Sequence, residues 1–372
     1  MNWTIWLNIV SPHLSGLLRS LALIPDQSVT VVAEHEMPEV RKEIGWNTPD
    51  CSPARVSVGP HDEEIEQLIQ RGAGQESVHV IGGGMKPGSL NRRVLPRLAR
   101  TRATVGLMSE GANNLGIQGI ARRVMYSMDR FFIEDKLDFI IAMGQSGVRW
   151  YKSAGYDASH VFPFMYVTER PAVESESRKE WEVAGEFRIL YLGNFIPRKD
   201  GVTAIRALNR LPDLNWQFDA VGSGPDLELW KGAAAEGGLT GRIRFLPPVN
   251  NQMIGSLLER ADLLLLPSRF DGWGAVVNEA LMCGVPVVCS DNCGAADLLR
   301  DSWRGSTFKM GSVEDLQIVL RKWIELGRRT EESSARIRNW SSALEGPQVA
   351  RYLVDTVEHI RGKGNRPSPP WY

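Results

Sequence analysis

Short apolar runs alternate with longer amphipathic segments along most of the chain. The runs are almost continuously hydrophobic and rich in β-branched residues, which is typical of parallel strands covered on both faces. Because the segments between them have helical spacing, the pattern predicts right-handed βαβ units and an α/β fold. The predicted strands are residues 3–10, 29–33, 55–58, 78–81, 104–108, 139–142, 188–192, 216–221, 242–246, 263–266 and 285–289.

The predicted strands form two series, separated by a stretch of mixed polar composition. Residues 168–187 include a charged run at 174–182, and this composition favours a linker. The chain has 372 residues, which is long for one hydrophobic core and suits two. We therefore predict a first domain over residues 1–167 and a second over residues 168–345.

Composition favours a soluble globular protein and argues against nucleic-acid-binding and membrane-spanning classes. Hydrophobic residues at 43% and charged residues at 23% are typical of a soluble globular chain. The formal net charge of −1 creates no overall field for nucleic acid, so we expect no nucleic-acid partner. No apolar run approaches the roughly 18 residues of a membrane span. Asn8 and Pro12 interrupt the apolar stretch at the N-terminus, which favours strand, loop and helix over a signal peptide. These features predict a cytoplasmic protein.

The four cysteines do not have the spacing of a structural metal site. Cys283, Cys289 and Cys293 are close in sequence, but they lack the paired C-x-x-C spacing and the histidines of a zinc site. Cys51 is remote from them. Reduced thiols in a cytosolic protein are the simpler interpretation, and zinc is the alternative.

Two carboxylates eight positions apart, Asp271 and Glu279, mark the main candidate site, with Gly272, Trp273 and Gly274 between them. Apolar runs precede and follow, so the pattern predicts a strand, an open loop, a helix and the next strand. Small residues let backbone amides approach a ligand closely, and a helix N-terminus favours anions. Such a site suits a molecule with both hydroxyls and phosphates, such as a nucleotide-sugar. An ordinary strand-loop-helix of a doubly wound sheet is the alternative.

This segment resembles the E-x7-E signature of the family 4 glycosyltransferases, a large retaining family with the two-domain GT-B fold. Asp271 stands where the commoner form has its first glutamate. The resemblance implies two Rossmann-like, doubly wound parallel-sheet domains facing a cleft. It also implies that Glu279 binds the ribose hydroxyls, while Asp271 and the three amides after it contact the sugar and the diphosphate.

A basic loop opens the second series of strands. The strand at 188–192 runs into Asn194, Arg198 and Lys199 before a helix begins near Val202. A lysine at such a turn is well placed to act as a point charge for a diphosphate, although a surface loop with solvated bases has the same pattern. The resemblance implies that Lys199 is the diphosphate-binding lysine of the family. Asn194 stands where the family usually has arginine, and Arg198 is its candidate replacement.

Gly222 and Gly224 follow the next strand of the second series. A lone G-x-G is weak evidence for a nucleotide, and a plain tight turn explains it equally well. The segment resembles the G-x-G-P turn that lines the nucleotide site in this family. The sequence has no Asp-x-Asp pair of the kind that holds a catalytic metal in the other large glycosyltransferase fold. We therefore predict transfer without metal or cofactor, with Lys199 and helix dipoles stabilising the departing diphosphate.

Loops after two strands of the first series supply the candidates for the acceptor side. Such loops lie at the carboxyl edge of a sheet, where ligands bind in open α/β folds. His13 is a candidate for orienting the acceptor. The resemblance implies that this loop faces the donor, so Gly16 is a candidate for approaching a donor phosphate. Glu110 is a candidate for binding an acceptor hydroxyl or for acting as a base. A structural role for His13 and a helix-capping role for Glu110 are the alternatives.

A basic segment suggests a membrane surface as a further partner. Residues 86–102 contain no acidic residue, and their apolar positions give one side of a helix. Pro96 is expected to interrupt or kink that helix. The basic residues are Lys86, Arg92, Arg93, Arg97, Arg100 and Arg102. A basic amphipathic helix of this type lies on anionic membranes, although a solvated helix face is an equal alternative.

The final apolar positions predict a helix over residues 346–362, which in similar GT-B proteins completes the N-terminal domain. The proline-rich tail at 363–372 is predicted to be disordered. Taken with the resemblance, these features predict a retaining, metal-independent glycosyltransferase of surface-polysaccharide biosynthesis. Its acceptor is expected to be a glycan or a lipid-diphosphate-linked glycan at the inner face of the plasma membrane. A degenerate partner subunit that binds nucleotide-sugar without turnover is the alternative, favoured by Asn194 and Asp271.

Overall fold

The computed structural model describes residues 1–43, 46–83, 85, 88–113, 116–172 and 185–372. The chain divides into two compact units. Unit 1 comprises Met1–Glu169 and Ala343–Tyr372, and unit 2 comprises Arg170–Ser342. These divisions fall two or three residues from the boundaries drawn at 167/168 and 345/346. The charged run at 174–182, on which the predicted linker rests, lies outside the described residues.

Unit 1 is built on one parallel sheet. Its described strands are β1 (Asn2–Leu7), β2 (Ser28–Ala33), β3 (Arg55–Val58), β4 (Ser77–Gly82), β5 (Thr104–Ser109), β6 (Phe139–Met143) and β7 (Val161–Phe164). They lie in the order β3-β2-β1-β4-β5-β6-β7, and each neighbouring pair is parallel. Its helices before residue 170 are α1 (Pro12–Leu23), α2 (Glu39–Glu43), α3 (Asp62–Arg71), α4 (Leu90–Leu98), α5 (Gly116–Ile133) and α6 (Gly144–Ser153).

Unit 2 repeats this architecture with a smaller sheet. Its described strands are β8 (Phe187–Leu192), β9 (Trp216–Val221), β10 (Ile243–Leu246), β11 (Leu263–Leu266), β12 (Val287–Ser290) and β13 (Gly305–Phe308). They lie in the order β10-β9-β8-β11-β12-β13, all parallel. The helices of the unit are α7 (Gly201–Asn209), α8 (Leu227–Glu236), α9 (Ile254–Glu259), α10 (Ala275–Met282), α11 (Val313–Leu326) and α12 (Glu331–Trp340).

All eleven predicted strands are confirmed, although β1 is shorter than expected. It ends at Leu7 because the side chain of Ser11 caps α1 by accepting the amide of His13 at 3.2 Å, with Pro12 in the first turn. The apolar pattern missed β7 and β13, which are the outer strands next to β6 and β12. Both are four residues long, and β7 contains Pro163, which only an edge position tolerates.

The last helix, α13 (Gly346–Ile360), packs in unit 1 against α1. The two helices approach so closely that a Cβ at Gly346 would lie 2.3 Å from the carbonyl oxygen of Gly16. The buried side of α13 includes Val349, Leu353 and Val357. Glycine at position 346 therefore sets the distance between the helices.

The tail at 363–372 has no helix or strand, but the prediction of disorder is wrong. The Trp371 side chain is 1% exposed and packs edge-on against Tyr352, with ring centroids 5.5 Å apart. The Arg366 guanidinium donates hydrogen bonds of 2.6 Å to the carbonyl oxygens of Ser159 and Val161. Proline-rich composition predicted disorder, but one buried aromatic ring and one arginine are enough to fix the segment.

Helix α4 does not present the apolar surface that the membrane hypothesis for residues 86–102 required. Its apolar residues Leu90, Val94, Leu95 and Leu98 are at most 2% exposed and belong to the core of unit 1. Its arginines pair with carboxylates of neighbouring helices. Lys86 lies outside the described residues. The helical spacing was recognised correctly, but its apolar side faces the protein. Among the described residues, every helix is too short or too polar to cross a bilayer.

Candidate functional site

The loops that follow β8, β9 and β11 meet at one edge of the sheet in unit 2. These three strands are neighbours, so their carboxyl ends lie side by side. Backbone hydrogen bonds join the loops. The amide of Phe195 donates to the carbonyl oxygen of Ser223 at 2.8 Å, and the amide of Arg269 donates to the carbonyl oxygen of Arg198 at 2.8 Å. Three motifs that are well separated in the sequence therefore form one surface.

Lys199 and Asp271 form the ion pair at the centre of this surface. Each side chain is only 12% exposed. The Arg198 guanidinium lies 3.6 Å from the other carboxylate oxygen of Asp271 and donates to the carbonyl oxygen of Phe270 at 3.3 Å. The Ser268 hydroxyl is 3.4 Å from the same carboxylate. The basic loop and the first carboxylate of the E-x7-E-like segment are thus in direct contact.

A second ion pair beside the first was not predicted. The Nε atom of Arg269 lies 3.1 Å from the carboxylate of Asp200, which also accepts a 2.9 Å hydrogen bond from the hydroxyl of Thr203. Asp200 adopts left-handed backbone geometry (φ 50°) at the start of α7. A signal was available in the sequence, because Asp200 directly follows Lys199 and Arg269 lies two residues before Asp271. In these two loops Arg198, Lys199 and Arg269 outnumber the two carboxylates, which leaves an excess of positive charge for an anionic ligand.

The two glycines of the G-x-G turn are required by contacts between loops. A Cβ at Gly222 would lie 1.9 Å from the carbonyl oxygen of Gly193, and a Cβ at Gly224 would lie 2.2 Å from that of Phe195. Both glycines have φ of 153°. Asn194 is exposed between these contacts, and its carbonyl oxygen accepts a 2.8 Å hydrogen bond from the hydroxyl of Tyr191. The observed contacts of Gly222 and Gly224 are with the protein, and their contact with donor remains a prediction.

Buried contacts with the core of unit 2 fix the loop before α10. Trp273 is 1% exposed, and its indole nitrogen donates to the Asn278 side chain at 2.8 Å. Gly272 packs so tightly that a Cβ at Gly294 would lie 2.2 Å from its carbonyl oxygen. Gly274 caps the helix with φ of 96°, which favours glycine. The Trp273 ring therefore anchors the loop, and the predicted ligand contacts of residues 272–274 fall on their backbone amides.

Glu279 lies in the second turn of α10 and is partly buried. Desolvation by the surrounding protein raises the pKa of its carboxyl to about 7. A group that donates hydrogen bonds to this carboxyl would favour its charged form and lower the pKa again. The vicinal hydroxyls of a ribose are donors of this kind.

In unit 1, the structure links two of the candidate acceptor residues through a third that was not predicted. The Tyr166 hydroxyl donates a 2.7 Å hydrogen bond to Glu110, and its ring centroid lies 5.6 Å from that of His13. The His13 ring also contacts Trp46 edge-on at 4.7 Å. Tyr166 was missed because it follows β7, the strand that the apolar pattern did not reveal. An aromatic residue just after a strand would have been the signal.

Gly16 lies inside α1 and not in the loop before it. A Cβ at this position would lie 3.0 Å from the carbonyl oxygen of Val167, and a Cβ at Gly346 of α13 would lie 2.3 Å from the carbonyl oxygen of Gly16. Helix packing therefore accounts for a glycine at position 16. Its predicted role at a donor phosphate remains a prediction.

The part of the chain that forms the site in unit 2 is similar in sequence to known glycosyltransferases. Residues 173–340 match the family model described as Glycosyl transferases group 1. A D-inositol 3-phosphate glycosyltransferase of Mycobacteroides abscessus is 27% identical over 216 residues, which cover 54% of this chain and 46% of the relative. The O-antigen chain mannosyltransferase B of Escherichia coli is 29% identical over 142 residues, or 37% of each chain. The matches thus span less than half the length of either relative.

Solved structures relate the whole chain by fold. The structure of HepE from Anabaena in complex with UDP matches with a TM-score of 0.72, covering 96% of this chain and 100% of that chain. Sequence identity is 16%, so the likeness concerns the fold. It identifies the two parallel sheets as the two Rossmann-like domains of the GT-B fold, as predicted.

Proposed function

We propose that this protein is a glycosyltransferase that uses a nucleotide-sugar donor bound by unit 2. The observation that carries the proposal is the contact between Lys199 and Asp271 at the sheet edge where α10 begins. Cationic side chains and a helix N-terminus are suited to a diphosphate, and the carboxyl of Glu279 is suited to ribose hydroxyls. The match of residues 173–340 to group 1 glycosyltransferases and the UDP bound in HepE support this assignment.

In the proposed reaction, the bond between the anomeric carbon and the β-phosphate oxygen breaks, and its electron pair leaves with the nucleoside diphosphate. The acceptor hydroxyl forms the new bond on the same face of the sugar, and its proton passes to the departing phosphate oxygen. Lys199 and the amides before α10 stabilise the charge that develops on the phosphate. The configuration at the anomeric carbon is retained, and no metal takes part.

We assign acceptor recognition to unit 1, at Glu110 and His13. The hydrogen bond from Tyr166 and the ring contact with His13 hold the three side chains together, which supports a common role. Glu110 is exposed, so it is accessible to an acceptor hydroxyl. A glycan or a lipid-diphosphate-linked glycan of a surface polysaccharide is the proposed acceptor. The O-antigen mannosyltransferase among the relatives is consistent with this class.

The donor assignment is tested first by a thermal-shift screen of UDP, GDP and TDP, because a ligand that binds only the folded state raises the melting temperature. Release of nucleoside diphosphate is then measured with the matching nucleotide-sugars and lipid-linked glycan acceptors, in the presence of EDTA. The anomeric proton coupling of the product reports retention. Glu279→Ala is expected mainly to weaken nucleotide binding.

Acceptor-dependent release in EDTA, with retention, would support the proposal in full. Nucleotide binding without release would contradict catalysis and support a degenerate binding subunit instead. Failure of all three diphosphates to raise the melting temperature would refute the donor site.

A further inference from the structure

Helix α5 carries most of the large apolar side chains that are exposed among the described residues of unit 1. Among the described residues of the whole chain, fifteen large apolar side chains are exposed, and seven of them belong to this one helix. They are Ile117, Ile120, Val124, Met125, Met128, Phe131 and Phe132. Exposure reaches 85% at Ile117 and 73% at Phe131. Such a concentration marks an interaction surface, because scattered exposed apolar residues are ordinary and contiguous ones are not.

The seven side chains form one stripe. Their spacing places them within an arc of roughly 140° around the helix axis at 100° per residue. The opposite side of α5 contacts the protein: Gly119 and Ile133 are buried, and the Tyr126 ring packs edge-on against Trp150 with centroids 5.3 Å apart. The apolar stripe therefore points away from the core that holds the helix.

The margins of the stripe are basic. Helix α5 contains Arg122, Arg123 and Arg130 but only one acidic residue, Asp129. Asp129 lies 3.6 Å from Arg92 of α4, so its charge is already offset. Arg123 is exposed beside the stripe, with its guanidinium 5.9 Å from the Trp150 ring. Arg130 lies 3.2 Å from Glu134, so its charge is offset as well, and the positive charge beside the stripe comes from Arg122 and Arg123. The surface thus offers an apolar centre with a positively charged residue on each side.

We propose that α5 is a membrane-contact helix that lies on a bilayer containing anionic lipid. Acyl chains match the apolar stripe, and anionic headgroups match the arginines, which reach the interface from the sides of the helix. A second copy of this chain would cover the apolar stripe but would bring another set of arginines to the same border. The bilayer is the occupant that complements both features.

The test is flotation of the purified 372-residue chain with vesicles of phosphatidylcholine alone or of phosphatidylcholine with phosphatidylglycerol. Wild-type protein is expected to float with the anionic vesicles and much less with the zwitterionic ones. The double substitution Ile120→Ser and Phe131→Ser should lower binding at least about tenfold, since each removes an apolar group that the bilayer buries. Arg123→Glu should lower binding to the anionic vesicles selectively.

The matched control replaces two equally exposed apolar residues of unit 2, Leu229→Ser and Ile318→Ser, which are 60% and 61% exposed. This control should float like the wild type, and all variants should keep the wild-type melting temperature because the replaced side chains are exposed. Wild-type protein that stays unbound at low salt would overturn the proposal, as would an α5 variant that floats normally. A dimer without lipid, made monomeric by the α5 substitutions, would instead identify a self-association surface.

Discussion

The ammonium group of Lys199 pairs with the carboxylate of Asp271, which lies 72 residues later in the chain. Both side chains are mostly withdrawn from solvent, so the charge of Lys199 is compensated by Asp271, whose carboxylate also lies 3.6 Å from Arg198. A diphosphate that approaches Lys199 therefore also meets the negative charge of Asp271. Arg198, at 3.6 Å from that carboxylate, and the N-terminus of α10 supply the positive potential that makes such an approach favourable.

Replacing Lys199 by alanine tests this arrangement. We expect Lys199→Ala to lower turnover by roughly a hundredfold, because one donor to the developing phosphate charge is lost. Lys231→Ala is the control, since Lys231 is an exposed lysine of α8 paired with Glu228 at 2.8 Å. Steady-state kinetics with saturating nucleotide-sugar would measure both. Equal turnover in the two variants would show that Lys199 does not act on the leaving group.

The raised pKa of Glu279 predicts a dependence of stability on pH. The folded protein holds a proton on this carboxyl up to about pH 7, whereas the unfolded chain releases it near 4.5. The contribution of this carboxyl to the free energy of unfolding therefore falls as pH rises from 4.5 to about 7 and then stays level. Glu279→Gln lacks this cost, so its advantage over the wild type should grow to about 3 kcal/mol above pH 7 and vanish in acid.

Urea titrations of wild type and Glu279→Gln between pH 4 and pH 8 would measure that difference. Glu236→Gln, at an exposed carboxyl in the last turn of α8, is the control and should follow the wild-type profile. A constant difference between Glu279→Gln and the wild type at every pH would mean that burial does not perturb this group.

The turn at Gly222 is expected to tolerate no side chain. A Cβ there would lie 1.9 Å from the carbonyl oxygen of Gly193, and its φ of 153° disfavours other residues. Gly222→Ala should lower stability by about 2 kcal/mol or more and weaken nucleotide binding, because the loops after β8 and β9 must separate. Gly232→Ala in α8 has open space around the new methyl and should be neutral or slightly stabilising. Similar melting temperatures for both variants would contradict the close approach.

Removing the Tyr166 hydroxyl is predicted to slow turnover without changing the affinity for the nucleotide. Tyr166→Phe removes the 2.7 Å hydrogen bond to Glu110, a loss of about 1 kcal/mol, which corresponds to roughly fivefold slower transfer. Nucleotide affinity, measured by calorimetry, should not change. Tyr372→Phe removes a hydroxyl that accepts a 3.0 Å hydrogen bond from Gln145 and serves as the control. A changed nucleotide affinity in Tyr166→Phe would place this hydroxyl on the donor side.

The sequence predicted the central strands well because most of them are almost continuously apolar, as expected for strands covered on both faces. The edge strands β7 and β13 escaped it, since each is short and carries a proline or glycine. Because β7 was not predicted, Tyr166, which follows it, was not recognised as a residue at the carboxyl edge of the sheet. The other two edge strands, β3 and β10, are equally short but lack proline and glycine, and both were predicted. Residue type therefore decided which edge strands could be foreseen.

For the candidate site, the sequence identified the loops that carry the functional residues but not the ion pairs between those loops. Lys199 and Asp271 were both named from local motifs, yet their ion pair depends on β8 and β11 being neighbours. The partnership of Asp200 with Arg269 has the same origin. The apolar side of α4 shows the converse, because helical spacing reveals an apolar stripe without revealing whether protein or lipid covers it.

The interrupted order of unit 1 bears on how the chain folds during synthesis. Residues 1–169 leave the ribosome before unit 2, whereas α13 emerges only after it. Until then, α1 lacks the helix that packs at Gly16 and Ser20, and its uncovered surface is open to chaperones or to neighbouring nascent chains. The residues of unit 2 are contiguous, so unit 2 is free to fold first. Unit 1 is then completed when α13 leaves the ribosome and packs against α1.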